Sequence, residues 1–239
     1  EPITLLADKE EERKNDSADT KAPEEKKNDP APVQKPAKKN GRAKGLYLGI
    51  AGGPDLSNVK LQRIKNIGLN GGIVIGYQLS KRFSIESGAA WNRKYYYSEG
   101  QYFSTKNIYV PPGTKIENVK GDCNMIEWPL NVRYAIKNNG AVAWSGVAGV
   151  SSYFMMKENY DYLYLYPNGQ TDTRNRAYKN TSNDWFSVIN LAFAYSHQLG
   201  RSGSFRIEPY IKLPVKGVGI GSLPIISTGV NAGFIKKIF

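Results

Sequence analysis

Much of what this 239-residue chain could do is excluded by what it lacks. It has one cysteine, Cys123, so no disulfide forms within the chain, and a lone cysteine beside a strand reads as packing. One histidine, His197, and one cysteine cannot assemble a metal site, and no acid or serine partner for His197 is apparent. His197 therefore reads as an interfacial residue, no catalytic residue or cofactor is expected, and the chain reads as non-enzymatic. Nowhere do about 18 apolar residues follow one another, which excludes a membrane-spanning helix. The net charge is +12, yet no nucleic-acid-binding motif or basic helix accompanies it, so no nucleic-acid partner is expected. The chain begins at Glu1 with no charged-then-apolar leader, as a mature or excised product would. With no cysteine at position 1, an amino-terminal lipid anchor is not supported.

What is present is aromatic and periodic. Aromatics make up 12% of the residues, 16 of them tyrosine, and from Gly45 onward eight segments alternate strictly between apolar and polar. The second sets Ile67, Leu69, Ile73, Ile75, Tyr77 and Leu79 against Gly68, Asn70, Gly72, Gly76 and Gln78. The fourth sets Ile126, Trp128, Leu130, Val132, Tyr134 and Ile136 against Glu127, Asn131, Arg133 and Ala135. Period-two alternation over about ten residues is a strand signal. The fifth segment, 141–157, leaves its facing open, and the last, 225–239, has a weaker pattern. Connections after segments one, three, five and seven run about 13, 28, 27 and 11 residues, and the others only about 3 to 5.

Alternation alone does not separate a membrane barrel from a soluble one, which puts its apolar face inward. Three features favour lipid outside. The apolar faces are continuous and aromatic-ended over a bilayer-crossing length of about ten residues. The opposite faces are rich in Gly, Ala and Ser, suiting a narrow lumen. The loops alternate long and short, as short turns on one side of a membrane and large loops on the other require. The expected fold is all-β: an eight-stranded antiparallel up-and-down transmembrane barrel over 45–239, in contact with outer-membrane lipid.

Residues 1–44 carry 11 Lys/Arg and 10 Asp/Glu, four prolines beyond Pro2 and almost no large apolar side chain after Leu6. That composition cannot bury enough surface to fold, so a disordered periplasmic linker is expected. It would reach a periplasmic or inner-membrane partner.

The inward-facing charges are Glu86, Glu127, Glu208, Arg133, Arg206 and Lys212, with Lys94 near the outer end. Opposite charges in a narrow lumen pair, because an unpaired buried charge is costly. A salt-bridged plug is expected rather than a solute path. In the long loops Tyr95, Tyr96, Tyr97, Tyr102 and Tyr109 crowd the second. Tyr160, Tyr162, Tyr164 and Tyr166 recur every second residue at the start of the third, as a strand continuing beyond the membrane with a tyrosine stripe would place them. Tyrosine offers contact area with a polar tip, so these nine are the candidate extracellular partner-binding residues.

Ile126-Glu127-Trp128-Pro129-Leu130 with Arg133-Tyr134, Glu208-Pro209-Tyr210-Ile211-Lys212-Leu213-Pro214, and Ser227-Thr228-Gly229-Val230 resemble strand motifs of the porin-family outer-membrane barrels common in Bacteroidota, which include PorT-like proteins. The resemblance covers 45–239. It implies an outer-membrane barrel with both termini periplasmic, and Phe239 as the terminal aromatic read during assembly, although Lys237 departs from the usual apolar residue. The expected role is a membrane anchor and interaction module. A surface lipoprotein or a secretion component would bind at the loops, and the tail would couple to trans-envelope signalling. The PorT-like alternative is a transport or secretion accessory.

Overall fold

The computed structural model describes residues 44–238, so the expected tail, save Lys44, and the assembly signal Phe239 lie outside the described residues. Nine strands form: β1 (Gly45–Val59), β2 (Gly68–Gln78), β3 (Phe83–Glu99), β4 (Lys115–Asn138), β5 (Val142–Leu165), β6 (Thr171–Lys179), β7 (Asn183–Gln198), β8 (Ser204–Pro214) and β9 (Ile225–Lys237). Eight of them close an antiparallel ring, because β1 pairs with β9 and β4 with β5, while β7 pairs with both β5 and β8. Closure leaves no unpaired edge within the ring, the condition for a β-structure in hydrocarbon.

The ring has the expected eight strands, and a ninth strand stands beside it. β6 pairs only with the far end of β5, from Lys157↔Lys179 to Leu165↔Thr171, and stands outside the ring as the arm of a hairpin. Strand lengths differ too. β4 and β5 have 24 residues each. At about 3.3 Å per residue that is about 80 Å, whereas a crossing needs only about 9–11 residues. The long connections accordingly shrink to 60–67, 100–114 and 215–224, while the short turns are 79–82, 139–141 and 199–203.

A belt of apolar side chains faces outward around the ring: Ile73 and Ile75 on β2, Leu130 and Val132 on β4, Leu191 and Phe193 on β7, Ile207 and Ile211 on β8. Aromatic groups border it at both ends. Phe154, Trp185 and Trp128 meet edge-on toward the long loops, with ring centroids 5.0 and 6.0 Å apart. Phe83–Tyr134 and Trp144–Tyr195 pack at a tilt toward the short turns, with centroids 5.0 and 4.9 Å apart. Such girdles suit rings that are apolar in body and polar at the tip.

Past the upper girdle the alternation keeps its parity but exchanges its polarity. On β4, odd-numbered residues from Val119 to Arg133 face inward: Arg133, Asn131 and Glu127 at belt height, then Met125, Cys123 and Val119 above it. Even-numbered residues face outward, changing from Leu130 and Trp128 to Asp122 and Lys120. Water replaces lipid outside, so apolar groups move inside. The weak pattern of β9 also resolves: Ile225, Ser227 and Ile235 face inward, Val230 and Phe234 outward.

Candidate functional site

Two layers fill the interior. The lower one, at belt height, is ionic and includes all six expected luminal charges. Glu86 on β3 accepts from Arg133 Nε at 3.0 Å and Nη2 at 2.8 Å, from Arg206 Nη1 at 2.8 Å and from the Tyr47 hydroxyl at 2.8 Å. Arg133 also bonds Glu208 at 2.5 Å. Glu127 accepts from Lys212 Nζ at 2.5 Å, Asn92 Nδ2 at 3.1 Å and Ser151 Oγ at 2.6 Å. Arg206, Glu208 and Lys212 lie on β8, which is four strands from β3 either way round the ring, so these pairs tie opposite walls together. Glu86 and Glu127 each receive several donors, which offsets the cost of removing the charge from water.

One member escaped sequence reading. Asp55 is fully buried and accepts from Lys94 Nζ at 2.7 Å and the Tyr210 hydroxyl at 2.8 Å, while Lys94 also donates to Ser227 Oγ at 2.9 Å. Gly53 ended the first apolar segment, but the inward parity of Tyr47, Gly49 and Ala51 continues to Asp55 and Ser57. Counting on by twos would have found it. Between the ion pairs lies a chamber of about 110 Å³, bounded by Glu86, Glu127, Glu208, Tyr210 and Lys212.

The upper layer, beyond the upper girdle, is an apolar core: Tyr96, Phe103, Val119, Cys123, Met125, Tyr160, Tyr162, Tyr164, Val218, Ile220 and Leu223. Phe103 packs edge-on against Tyr160 and Tyr162, both at 5.4 Å. The 215–224 loop folds inward as the lid. Its Ile220 N–H donates to Glu158 at 3.2 Å, and its Gly219 N–H to Asp184 Oδ2 at 3.0 Å. Gly219 sits at φ +72°, and a Cβ there would lie 2.2 Å from Glu158 Oε1, so glycine is required. Ser104 N–H to the Gly221 carbonyl, 2.8 Å, clips the 100–114 loop over this lid. Burial pushes the Cys123 thiol up to about 12 and the Tyr96 and Tyr160 hydroxyls well above their ordinary value. A Tyr96–Tyr160–Glu158 chain, 3.0 and 2.7 Å, satisfies those hydroxyls.

The expected partner-facing tyrosines divide. Tyr96, Tyr160, Tyr162 and Tyr164 are corrected to interior positions: each is no more than 4% exposed. The stripe exists, but above the belt the water-facing side of the wall is the outer one, so the rings turn inward. A bulge at Met156, unpaired between Lys157↔Asn124 and Met155↔Met125, shifts the inward parity of β5 from odd to even residues and brings the stripe there. Tyr102 and Tyr166 are partly buried against the same core. Tyr95, Tyr97 and Tyr109 remain on the outer surface, the last 79% exposed. Arg63 lies over the Tyr97 ring at 3.9 Å and Arg93 over Tyr95 at 5.1 Å. β6 is exposed along almost its whole length, and its outer edge pairs with no strand among the described residues.

Among the described residues no three His, Cys, Asp or Glu side chains converge as a metal ion would need.

No curated protein matches the sequence. Among solved structures the chain is similar to Neisserial surface protein A (NspA), at 12% identity and a TM-score of 0.47, over 81% of this chain and 97% of that one. It is also similar to Ail, the attachment invasion locus protein of Yersinia pestis, at 12% identity and a TM-score of 0.39, over 80% and 98%. The family described as outer membrane protein beta-barrel domain matches residues 32–208, well over half of the sequence. With its closed ring of eight strands and apolar belt, the chain belongs to that outer membrane protein beta-barrel family.

Proposed function

We propose that the protein is a non-enzymatic, non-conducting barrel that anchors a protein-binding extension at the cell surface. The long-loop end faces outward and both termini face the periplasm, following the rule that short turns lie on the periplasmic side. One observation carries this reading: ion pairs and an apolar core fill the interior in succession, while about half of β4 and of β5 projects beyond the belt. Strand length that neither crosses the membrane nor opens a pore serves to hold a rigid surface away from it.

That surface is the outer face of β3–β6, with Tyr95, Tyr97, Arg63, Arg93 and the free β6 edge, together with Tyr109 on the neighbouring loop. Exposed tyrosines and arginines are the residues that protein interfaces favour. An unpaired strand edge also offers main-chain hydrogen bonds to an extended segment. Residues 1–44 connect the barrel to a periplasmic or inner-membrane partner, so binding outside is coupled to the envelope interior.

Purification from native outer membranes tests this. The full chain should bring down a surface protein, and a variant lacking the hairpin tip, residues 164–172, should lose it while staying folded and heat-resistant. Recovery of secretion components instead would favour the PorT-like accessory role. Undiminished recovery by the tip-deleted variant would remove the hairpin from the interface.

A further inference from the structure

The ion-pair layer stops short of the membrane-proximal end of the barrel. Below it the wall encloses a vestibule of about 370 Å³ at the short-turn mouth. That volume falls in the range of small-molecule pockets, about 300–1,000 Å³.

Its charge is one-sided. The charged residues lining it are Lys81, Arg82, Arg133, Arg206 and Lys237, and no carboxylate of the described residues lines it. Arg82 Nη1 donates to the Tyr134 hydroxyl at 3.1 Å, which turns that guanidinium to the outer rim and leaves Lys81 and Lys237 as the lining cations with no carboxylate partner among the described residues, above the two floor arginines. Glu86 and Glu208 lie one layer deeper, already engaged by the two arginines.

The floor has donors to spare. Arg133 is only 6% exposed, yet its Nη1 has no hydrogen-bond partner, and neither does the buried Nε of Arg206. Buried guanidinium N–H groups are normally satisfied, and their strongest acceptors are carboxylate and phosphate oxygens. A confined cavity walled by low-dielectric protein also concentrates the field of its cations.

We propose that this vestibule binds a small ligand bearing a carboxylate or phosphate group, seated over the guanidinium groups of Arg133 and Arg206 and held from the rim by Lys81 and Lys237. The site lies at the opposite end of the barrel from the partner-binding extension and does not depend on it.

The test uses the full chain, folded in detergent micelles and titrated calorimetrically with inorganic phosphate and, separately, with citrate, against sodium chloride at matched ionic strength. Saturable binding of phosphate or of citrate above the chloride control is expected, and the tighter of the two identifies the natural group. The Lys81→Gln/Lys237→Gln variant should bind at least about tenfold more weakly with unchanged melting. An Arg174→Gln/Arg176→Gln variant, altered at the far end, should bind as the parent does. No saturable binding of either anion would overturn the proposal, as would equal losses in both variants, since those would reflect net charge alone.

Discussion

Replacing Glu127 by Gln removes one charge from the middle of the lumen while keeping the shape of the side chain. Glu127 is 2% exposed and is the only carboxylate paired with Lys212 among the described residues; the Lys212 side chain is itself 11% exposed. The substitution leaves an ammonium buried without a counter-charge, for which breaking a buried pair costs about 3–5 kcal/mol. The polar chamber beside Lys212 offers partial hydration, so the loss should fall near the lower bound, about 3 kcal/mol. Removing the stranded cation as well, in Glu127→Gln/Lys212→Met, should return stability to within about 1 kcal/mol of the parent, because a buried pair replaced as a whole is often close to neutral. Urea unfolding from lipid vesicles, followed by the fluorescence of Trp91, Trp128, Trp144 and Trp185, measures both. A single variant within about 0.5 kcal/mol of the parent would refute the buried pair. So would a double variant as unstable as the sum of the two single ones.

Other outcomes follow from the same geometry. Ile73→Arg, on the lipid face of β2, should cost about 2–4 kcal/mol in vesicles, against a smaller loss for Asn70→Arg on the luminal face, and equal losses on both faces would contradict the belt. The Cys123 thiol, held near 12 by burial, carries almost no thiolate at pH about 8, so maleimide should label it only after unfolding, and rapid labelling of the folded barrel would show an open upper layer. Gly219→Val should unseat the 215–224 lid and make Cys123 reactive in the folded state, whereas continued protection would show that the lid is not what seals the core.

The ring and its two faces were legible at belt height because lipid imposes one rule on every strand there: apolar outward, small or polar inward. β8 obeys it residue by residue and β2 everywhere but Gly71 and Val74, so their inward and outward sets could be assigned from alternation alone. Above the belt the rule inverts, and the same alternation in β4 above Met125 read as loop. The small residues of β5 leave its facing open, and the bulge at Met156 then breaks its parity, which is why the tyrosine stripe reads as an outer surface. β6 was invisible for a different reason. Thr-Asp-Thr-Arg-Asn-Arg-Ala-Tyr-Lys has no apolar face to alternate, and the strand exists through its pairing with β5. The luminal charges were legible because acids and bases on one face of a narrow barrel have only each other to bond. Asp55 was lost where Gly52, Gly53 and Pro54 masked the continuation of β1.

Planar-bilayer recording of the purified, unmutated protein tests the filled interior most directly. Ion pairs across the belt and an apolar core under a folded-in loop should leave the bilayer without steady conductance. A stable open channel would contradict it.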